Sequence, residues 1–393
     1  MSNERAELLD EFDVPPAVPT DEEIESEGTI IQPFDPAKIR VETKQLSMDT
    51  LLARIQNGEI VLQPEFQRQE VWSDKARSRL IESILIRIPL PAFYMDATDD
   101  EKWLVVDGQQ RLSTLDRFVL KQNLRLRDLE FLKAELDGCA FDQLPRAFQR
   151  RIRETNVTVY LIERGTPSAV KINIFKRINT GGLPLSPQEI RHALNGYPVA
   201  QLIKDLAASE SFQAATNGGV PSLRMADREY VVRFFAFLLT DPEEFSSQEF
   251  DSFLSDTMAS INKLSDGERE DLSSRFFRAM KWSNIILGRL AFRKCFSMET
   301  SERLRPVNKA LFEAWSVNFD RLSDEELDFL SRCKNDLLQR FVALMGDRSF
   351  EQSISQGTGD VGKVKLRFAA IRKIIGETLF DHFSEDSEFQ SVP

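Results

Sequence analysis

Asp107, Gln109, Gln110 and Arg111 crowd around a single glycine, Gly108, within five consecutive residues. A carboxylate of this kind can hold a divalent cation or orient a water. The two amides can hold a water or a phosphate oxygen. The guanidinium is a fork that matches phosphate oxygens. The apolar run Leu104-Val105-Val106 stops at Asp107-Gly108, and Leu112, Thr114 and Leu115 follow at once. That order predicts strand, tight turn, helix. The turn would place the polar residues at a helix N-terminus, where unpaired N–H groups and partial positive charge attract phosphate.

Two more clusters share this character. Gln63-Pro64 leads into Phe66-Gln67-Arg68, and Arg177 with Asn179-Thr180 precedes Gly181-Gly182. Each sets an arginine beside an amide, or beside a glycine that lets the backbone approach closely. Together they suit a ligand rich in phosphate, with catalysis supplied by positioning and electrostatics. Plainer readings stand beside these. An Asp-Gly pair is also an ordinary turn, and Thr180-Gly181-Gly182 is also a helix stop. Arg146, Arg150, Arg151 and Arg153 are either a solvated helix face or a DNA contact. Trp72 and Trp103 read as core anchors.

The elements that must carry these residues can be read from spacing. A strand is expected over 39–43. Ser47 caps a helix through Leu51, Leu52 and Ile55 that stops near Asn57-Gly58. Pro64 makes 60–68 an extended edge rather than a helix. Ser73 opens a helix with Leu80, Ile81, Ile84 and Leu85 on one face. Strands at 89–95 and 103–106 flank a turn at Thr98-Asp99-Asp100. Residues 142–154 read as one amphipathic helix, 157–162 as a buried strand, and 169–178 as a further helix. Ser186-Pro187-Gln188-Glu189 is a capping box with proline at the first helical position. Beyond about residue 200 the periodicity is helical at 226–240, 248–264, 268–292, 308–319, 324–345 and 363–383. The boundary is placed near Tyr197-Pro198, giving an acidic tail over 1–38, a mixed domain over 39–198 and an all-helical one over 199–393. The fold class is α+β.

Composition narrows the function. The chain has 393 residues, 41% of them hydrophobic, with 29 Phe against 4 Tyr, so the aromatics read as core filler rather than as a base-stacking surface. The net charge is −12, and the first thirty residues hold ten acidic side chains against Arg5 alone. The rest is therefore close to neutral, and any DNA site must be a local patch. The tail reads as a disordered solubilising leader, or as an anionic segment that occupies a basic groove in cis. Cys139, Cys295 and Cys333 form no Cys-x-x-Cys pair, which supports neither a zinc knuckle nor a disulfide framework. No secretory leader or membrane span is expected, and the cytoplasm is the natural compartment.

At these same residues the chain resembles the N-terminal domain family of GmrSD-type, modification-dependent restriction enzymes. The likeness spans about 45–200. It rests on Pro64 to Arg68, on Asp107-Gly108-Gln109-Gln110-Arg111, and on Arg177 to Gly182 running into Ser186 to Arg191. Looser echoes are Ala226-Asp227-Arg228-Glu229 and Lys365-Leu366-Arg367-Phe368. The resemblance implies a fold similar to the ParB and sulfiredoxin nucleotide-binding fold. It also implies binding and hydrolysis of a nucleoside triphosphate, with Mg²⁺, in a bacterial anti-phage system that recognises modified or foreign DNA. By position, Asp107 would serve the metal or the attacking water, and Gln109 and Gln110 would place water or phosphate. Arg111 would hold phosphate beside Gly108, with Gln67 and Arg68 as the facing wall and Arg177, Asn179 and Thr180 as lesser contacts. Members that cut DNA themselves often carry a C-terminal His-Asn-His nuclease. The only histidines here, His192 and His382, match no such pattern.

Three readings follow: a DNA-associated NTP hydrolase, a metal-dependent nicking enzyme using the same residues, and a non-catalytic module in which nucleotide gates DNA or partner binding. Companion nuclease or methylase subunits, or further copies of the chain, would complete such a system. The helical half is read, by analogy alone, as a platform for partners, oligomerisation or DNA clamping.

Overall fold

The computed structural model describes residues 40–62, 72–166, 170–171, 174–175, 186–247, 249–297 and 304–389. The acidic tail, Gln63 to Val71 and Lys176 to Leu185 lie outside them, so Gln67, Arg68, Arg177, Asn179 and Thr180 have no structural description here. The chain forms two compact units, one spanning 32–194 and the other containing 195–393. It is mixed α+β: a five-stranded sheet in the first unit, helices in the second.

The sheet comprises β1 (Val41–Ser47), β2 (Ile60–Val61), β3 (Phe93–Ala97), β4 (Trp103–Asp107) and β5 (Asn156–Glu163), in the order β1-β5-β3-β4-β2. β1 and β5 are antiparallel, as are β3 and β4, while β3 runs parallel to β5 and β2 parallel to β4. β1 runs further than the sequence suggests because it pairs with β5 over its full length, Val41 with Ile162 through Ser47 with Asn156. β3 begins late, at Phe93, after Pro89 and Pro91, which cannot donate to a ladder.

One sheet face builds the main core of the unit. Phe93, Met95, Trp103, Val105, Val157, Val159 and Leu161 alternate inward along their strands. They meet α1 (Met48–Gln56), α2 (Asp74–Leu85), α3 (Gln109–Leu115) and α5 (Arg146–Glu154) through Leu51, Leu52, Ile81, Ile84, Leu112 and Ile152. α4 is one turn, Lys133–Leu136. Ser47 and Ser73 cap α1 and α2 as the sequence predicts, each accepting from a backbone N–H of the first turn. The helix expected over 142–154 is shorter. Leu144 precedes proline and is extended, so α5 starts only after Pro145.

α2 also fastens a loop. Glu82, buried, accepts from the backbone N–H groups of Glu130, Phe131 and Leu132 at 2.7–2.9 Å. Burial raises its pKa, but these three donors and Arg79 outweigh that, and the carboxyl sits below its ordinary value.

The other sheet face carries a smaller cluster, Val106, Ile162, Phe175 and Ile190, with Tyr94 and Leu194 packed against it. Ile190 and Leu194 come from α6 (Pro187–Asn195). The capping box holds: Ser186 N–H donates to Glu189 at 2.5 Å, and Glu189 N–H donates to the Ser186 hydroxyl at 3.1 Å.

In the second unit the apolar stretch expected over 226–240 is helix Ala226–Leu239, wrapped by Lys309–Asp320, Asp266–Leu287 and Val361–Phe389 around a phenylalanine-rich core. The single helix expected over 324–345 is two, Asp324–Arg332 and Lys334–Leu344, broken at Cys333. Among the described residues no helix is long and apolar enough to cross a membrane.

Candidate functional site

β4 ends in a bulge. Met95 pairs with Val105 but Tyr94 pairs with Asp107, so Val106 is an extra residue. Simple alternation would leave Asp107 on the Trp103–Val105 face; the bulge sets it opposite Tyr94 instead. Gly108 follows with φ 97°, a left-handed conformation, and is the N-cap of α3. A side chain there would meet the Phe93 ring at once. Glycine is therefore required both by φ and by close approach.

Among the described residues no side chain caps α3, and its first internal bond runs from Leu112 N–H to Gly108 C=O. The N–H groups of Gln109, Gln110 and Arg111 precede that bond, at the positive end of the helix. α3 continues without a break into a π-helical turn, Asp116–Leu120.

Arg111 is 9% exposed. Its Nη2 donates to Asp107 Oδ2 at 2.7 Å and to Ala92 C=O at 3.1 Å, while Nη1 donates to Pro91 C=O. The guanidinium lies 4.5 Å from the Phe93 ring centre, a cation–π contact. Burial lowers its pKa, and Asp107 counters that shift. Both Nη atoms are thus committed to holding Asp107 and the entry to β3. The Asp107 side chain is 34% exposed, and its Oδ1 receives no hydrogen bond from a described residue.

Tyr94 stands beside Asp107 and stacks on Tyr160, ring centres 4.8 Å apart. Burial, then Tyr160 and Asp107, push the Tyr94 phenol above its ordinary pKa, so it keeps its proton at neutral pH. Sequence reading passed over this pair. Parallel pairing of β3 with β5 brings them together, and nothing local encodes it.

The arginines of α5 divide. Arg151 donates to Leu85 C=O at the C-terminal end of α2 at 2.6 Å, and Arg153 pairs with Asp49 on α1 at 2.6 Å. Arg146 and Arg150 are exposed, Arg150 with a loose 3.8 Å pair to Glu154. The expected four-arginine patch is two ties and two exposed projections.

The looser echoes meet in the helical unit. Arg233 pairs with Glu229 at 2.9 Å and with Glu313 at 3.4 Å, and Arg367 also pairs with Glu313. Arg233, Glu313 and Arg367 are all 0% exposed. This is a buried brace.

The fit of a metal rests on few donors. Among the described residues no three His, Cys, Asp or Glu side chains gather. One carboxylate oxygen, Asp107 Oδ1, suits only an ion whose other ligands are phosphate oxygens and water, which is the habit of Mg²⁺.

The first unit is thus an α+β domain whose bulged strand β4 delivers a carboxylate to a helix start that no described side chain caps. Residues 48–195 match the family model of the GmrSD restriction endonuclease, N-terminal domain. No curated protein matches the chain.

Proposed function

We propose that the 32–194 unit binds and hydrolyses a nucleoside triphosphate, as the nucleotide-driven component of a DNA-restriction system in the bacterial cytoplasm. The observation that carries this is the Asp107–Gly108 turn: a fixed, partly open carboxylate beside the backbone N–H groups of Gln110 and Arg111 at a helix start. The family match supports the restriction setting.

In this reading the N–H groups of Gln110 and Arg111 take phosphate oxygens. Asp107 Oδ1 orients the attacking water or shares the Mg²⁺ that accompanies the triphosphate. That ion, when bound, supplies charge neutralisation on the phosphates. The Gln109 and Gln110 amides, both partly exposed, would hold water or phosphate. Arg111 is a positioning residue, acting through Asp107. Gln67, Arg68, Arg177, Asn179 and Thr180 remain part of the proposal through the family motif. DNA contact is assigned to Arg146 and Arg150, on the open side of α5.

The test is phosphate release by the full chain with each nucleoside triphosphate and Mg²⁺, with and without DNA, beside a plasmid-nicking arm. Turnover that is lost in Asp107→Ala supports the proposal. No turnover with any nucleotide overturns hydrolysis; tight binding without turnover would leave a nucleotide gate. Nicking that is lost in Asp107→Ala would move the activity to DNA.

A further inference from the structure

The sheet face next to the Asp107 turn has an ordered row across four strands. Asp107 on β4 pairs with Tyr94 on β3, Tyr94 with Tyr160 on β5, and Tyr160 with Thr43 on the edge strand β1. The two tyrosine rings stack on each other with 22° between planes. One face of Tyr160 is therefore taken by Tyr94. On its other side stands Thr43, a small and exposed residue, and among the described residues the sheet ends beyond it. Val41 and Gln45 flank Thr43 on the same strand face, and both are exposed. Gln45 Nε2 donates to the Thr158 hydroxyl at 2.8 Å. That leaves the Gln45 carbonyl as an acceptor and the Thr158 hydroxyl proton as a donor.

We propose that the free side of Tyr160, floored by Thr43 and edged by Gln45 and Thr158, is the nucleobase subsite of the triphosphate whose phosphates lie at the Asp107–Gly108 turn. The proposal rests on the nucleotide reading above and names where its base goes. The row supplies the reach. Three strand-to-strand steps of about 4.8 Å separate Asp107 from Thr43, roughly 14 Å in all. An extended nucleotide spans a comparable length from its terminal phosphate to its base. The ribose would cross the Tyr94 ring edge, where the protonated phenol can donate. A planar base then stacks on an aromatic face, an interaction that tolerates every base, while one amide and one hydroxyl sample its edge. A fixed aromatic pair is a suitable platform because the Tyr94–Tyr160 stack already orients the ring before ligand arrives.

The experiment is calorimetric titration of the full chain with β,γ-imido analogues of ATP, GTP, CTP and UTP, and in parallel with inorganic tripolyphosphate, all with Mg²⁺. Variants are Tyr160→Leu, Tyr160→Phe and Thr43→Trp. The last lies on an exposed edge position and fills the slot without touching the core. The wild-type chain is expected to bind at least one nucleotide about tenfold more tightly than tripolyphosphate. Tyr160→Leu and Thr43→Trp each lose that advantage, Tyr160→Phe keeps it, and tripolyphosphate binding is unchanged throughout. Nucleotide affinity unchanged in both Tyr160→Leu and Thr43→Trp overturns the subsite. So does an equal loss for both ligands. A wild-type chain that binds tripolyphosphate as well as any nucleotide ends the base subsite but leaves the phosphate site standing. A chain that binds neither ends the phosphate site and the base subsite together.

Discussion

Arg111 Nη2 lies 2.7 Å from Asp107 Oδ2, and the same nitrogen also donates to the carbonyl of Ala92. One guanidinium thus ties the site carboxylate at the end of β4 to the chain entering β3. Asp107 is held by a residue one helical turn further on, and its rotamer is set before any ligand binds.

This division of labour gives separable effects. Asp107→Ala is expected to abolish turnover, by roughly 100-fold or more, as loss of a positioned base or electrostatic group does. It should change thermal stability little, since Asp107 is partly exposed. Arg111→Ala should reduce turnover and also destabilise by about 1–3 kcal/mol, because the buried guanidinium's charge-assisted hydrogen bonds to Pro91 and Ala92 and its contact with the Phe93 ring are lost. Arg111→Lys should not rescue either, because a point charge cannot bridge three acceptors. Phosphate release and thermal melts on the three variants check this. Full activity in Arg111→Lys would remove the positioning role.

Gly108 makes a second, purely steric prediction. Its φ of 97° is unfavourable for any side chain, and a Cβ would strike the Phe93 ring. Gly108→Ala should cost about 2–4 kcal/mol, from backbone strain plus overpacking. Adding Phe93→Leu should recover part of the overpacking term and none of the strain. Denaturant melts of the single and double variants read this out; equal stabilities for Gly108→Ala and wild type would refute it.

These two arguments also show what could be read in the sequence. The strand–turn–helix at 104–115 was legible because an apolar run ends on Asp-Gly and helical spacing resumes. The caps at Ser47, Ser73 and Ser186 were legible because capping is chemistry within four residues. The bulge at Val106 was not, because it exists only relative to β3. The partners of Arg111 were not, because Pro91 and Ala92 become its acceptors only once β3 lies beside β4. Tyr160 was invisible as a site residue for the same reason: its neighbours on β3 and β1 lie 66 and 117 positions away in sequence. The low tyrosine count argues against a stacking surface, and a count cannot show which two tyrosines the sheet will pair. In the helical half, the echoes at Glu229 and Arg367 carried no mechanism until Glu313 was seen between them.

Glu82 predicts a pH dependence in one loop. Its folded pKa lies below the ordinary glutamate value of about 4.3. Its contribution is therefore fully present above that value and is lost as pH falls through the lower, folded pKa. Hydrogen exchange at the amides of Glu130, Phe131 and Leu132 should speed up over that acid window, relative to the intrinsic rate. Glu82→Gln should show the weakened protection already at neutral pH, since a neutral acceptor replaces a charged one. Protection that is independent of both changes would dismiss the role.

The α5 arginines allow DNA contact to be told from packing. Arg146→Glu with Arg150→Glu should weaken DNA binding and lower its logarithmic salt slope by about two, one for each lost phosphate contact. Thermal stability should hardly move, since both side chains are exposed. Arg151→Ala with Arg153→Ala should do the opposite. Those side chains satisfy the C-terminal carbonyl of α2 and the first turn of α1, so stability falls by about 1–3 kcal/mol while the salt slope is kept.

The buried brace in the helical unit sets the largest stability effect. Glu313 is shared by Arg233 and Arg367, and all three are fully buried. Glu313→Ala leaves two guanidinium groups facing each other without their common anion, so about 3–5 kcal/mol should be lost. Glu313→Gln keeps the shape but not the charge and should fall between. Replacing all three by apolar residues of similar volume should cost much less than Glu313→Ala alone, because Glu229 keeps Lys309 at 3.1 Å and the penalty lies in the stranded charges rather than in the missing pair. Denaturant melts order these variants. If Glu313→Ala proved no worse than the triple replacement, the brace would be carrying no electrostatic load, and the meeting of Glu229 and Arg367 through it would be a matter of packing alone.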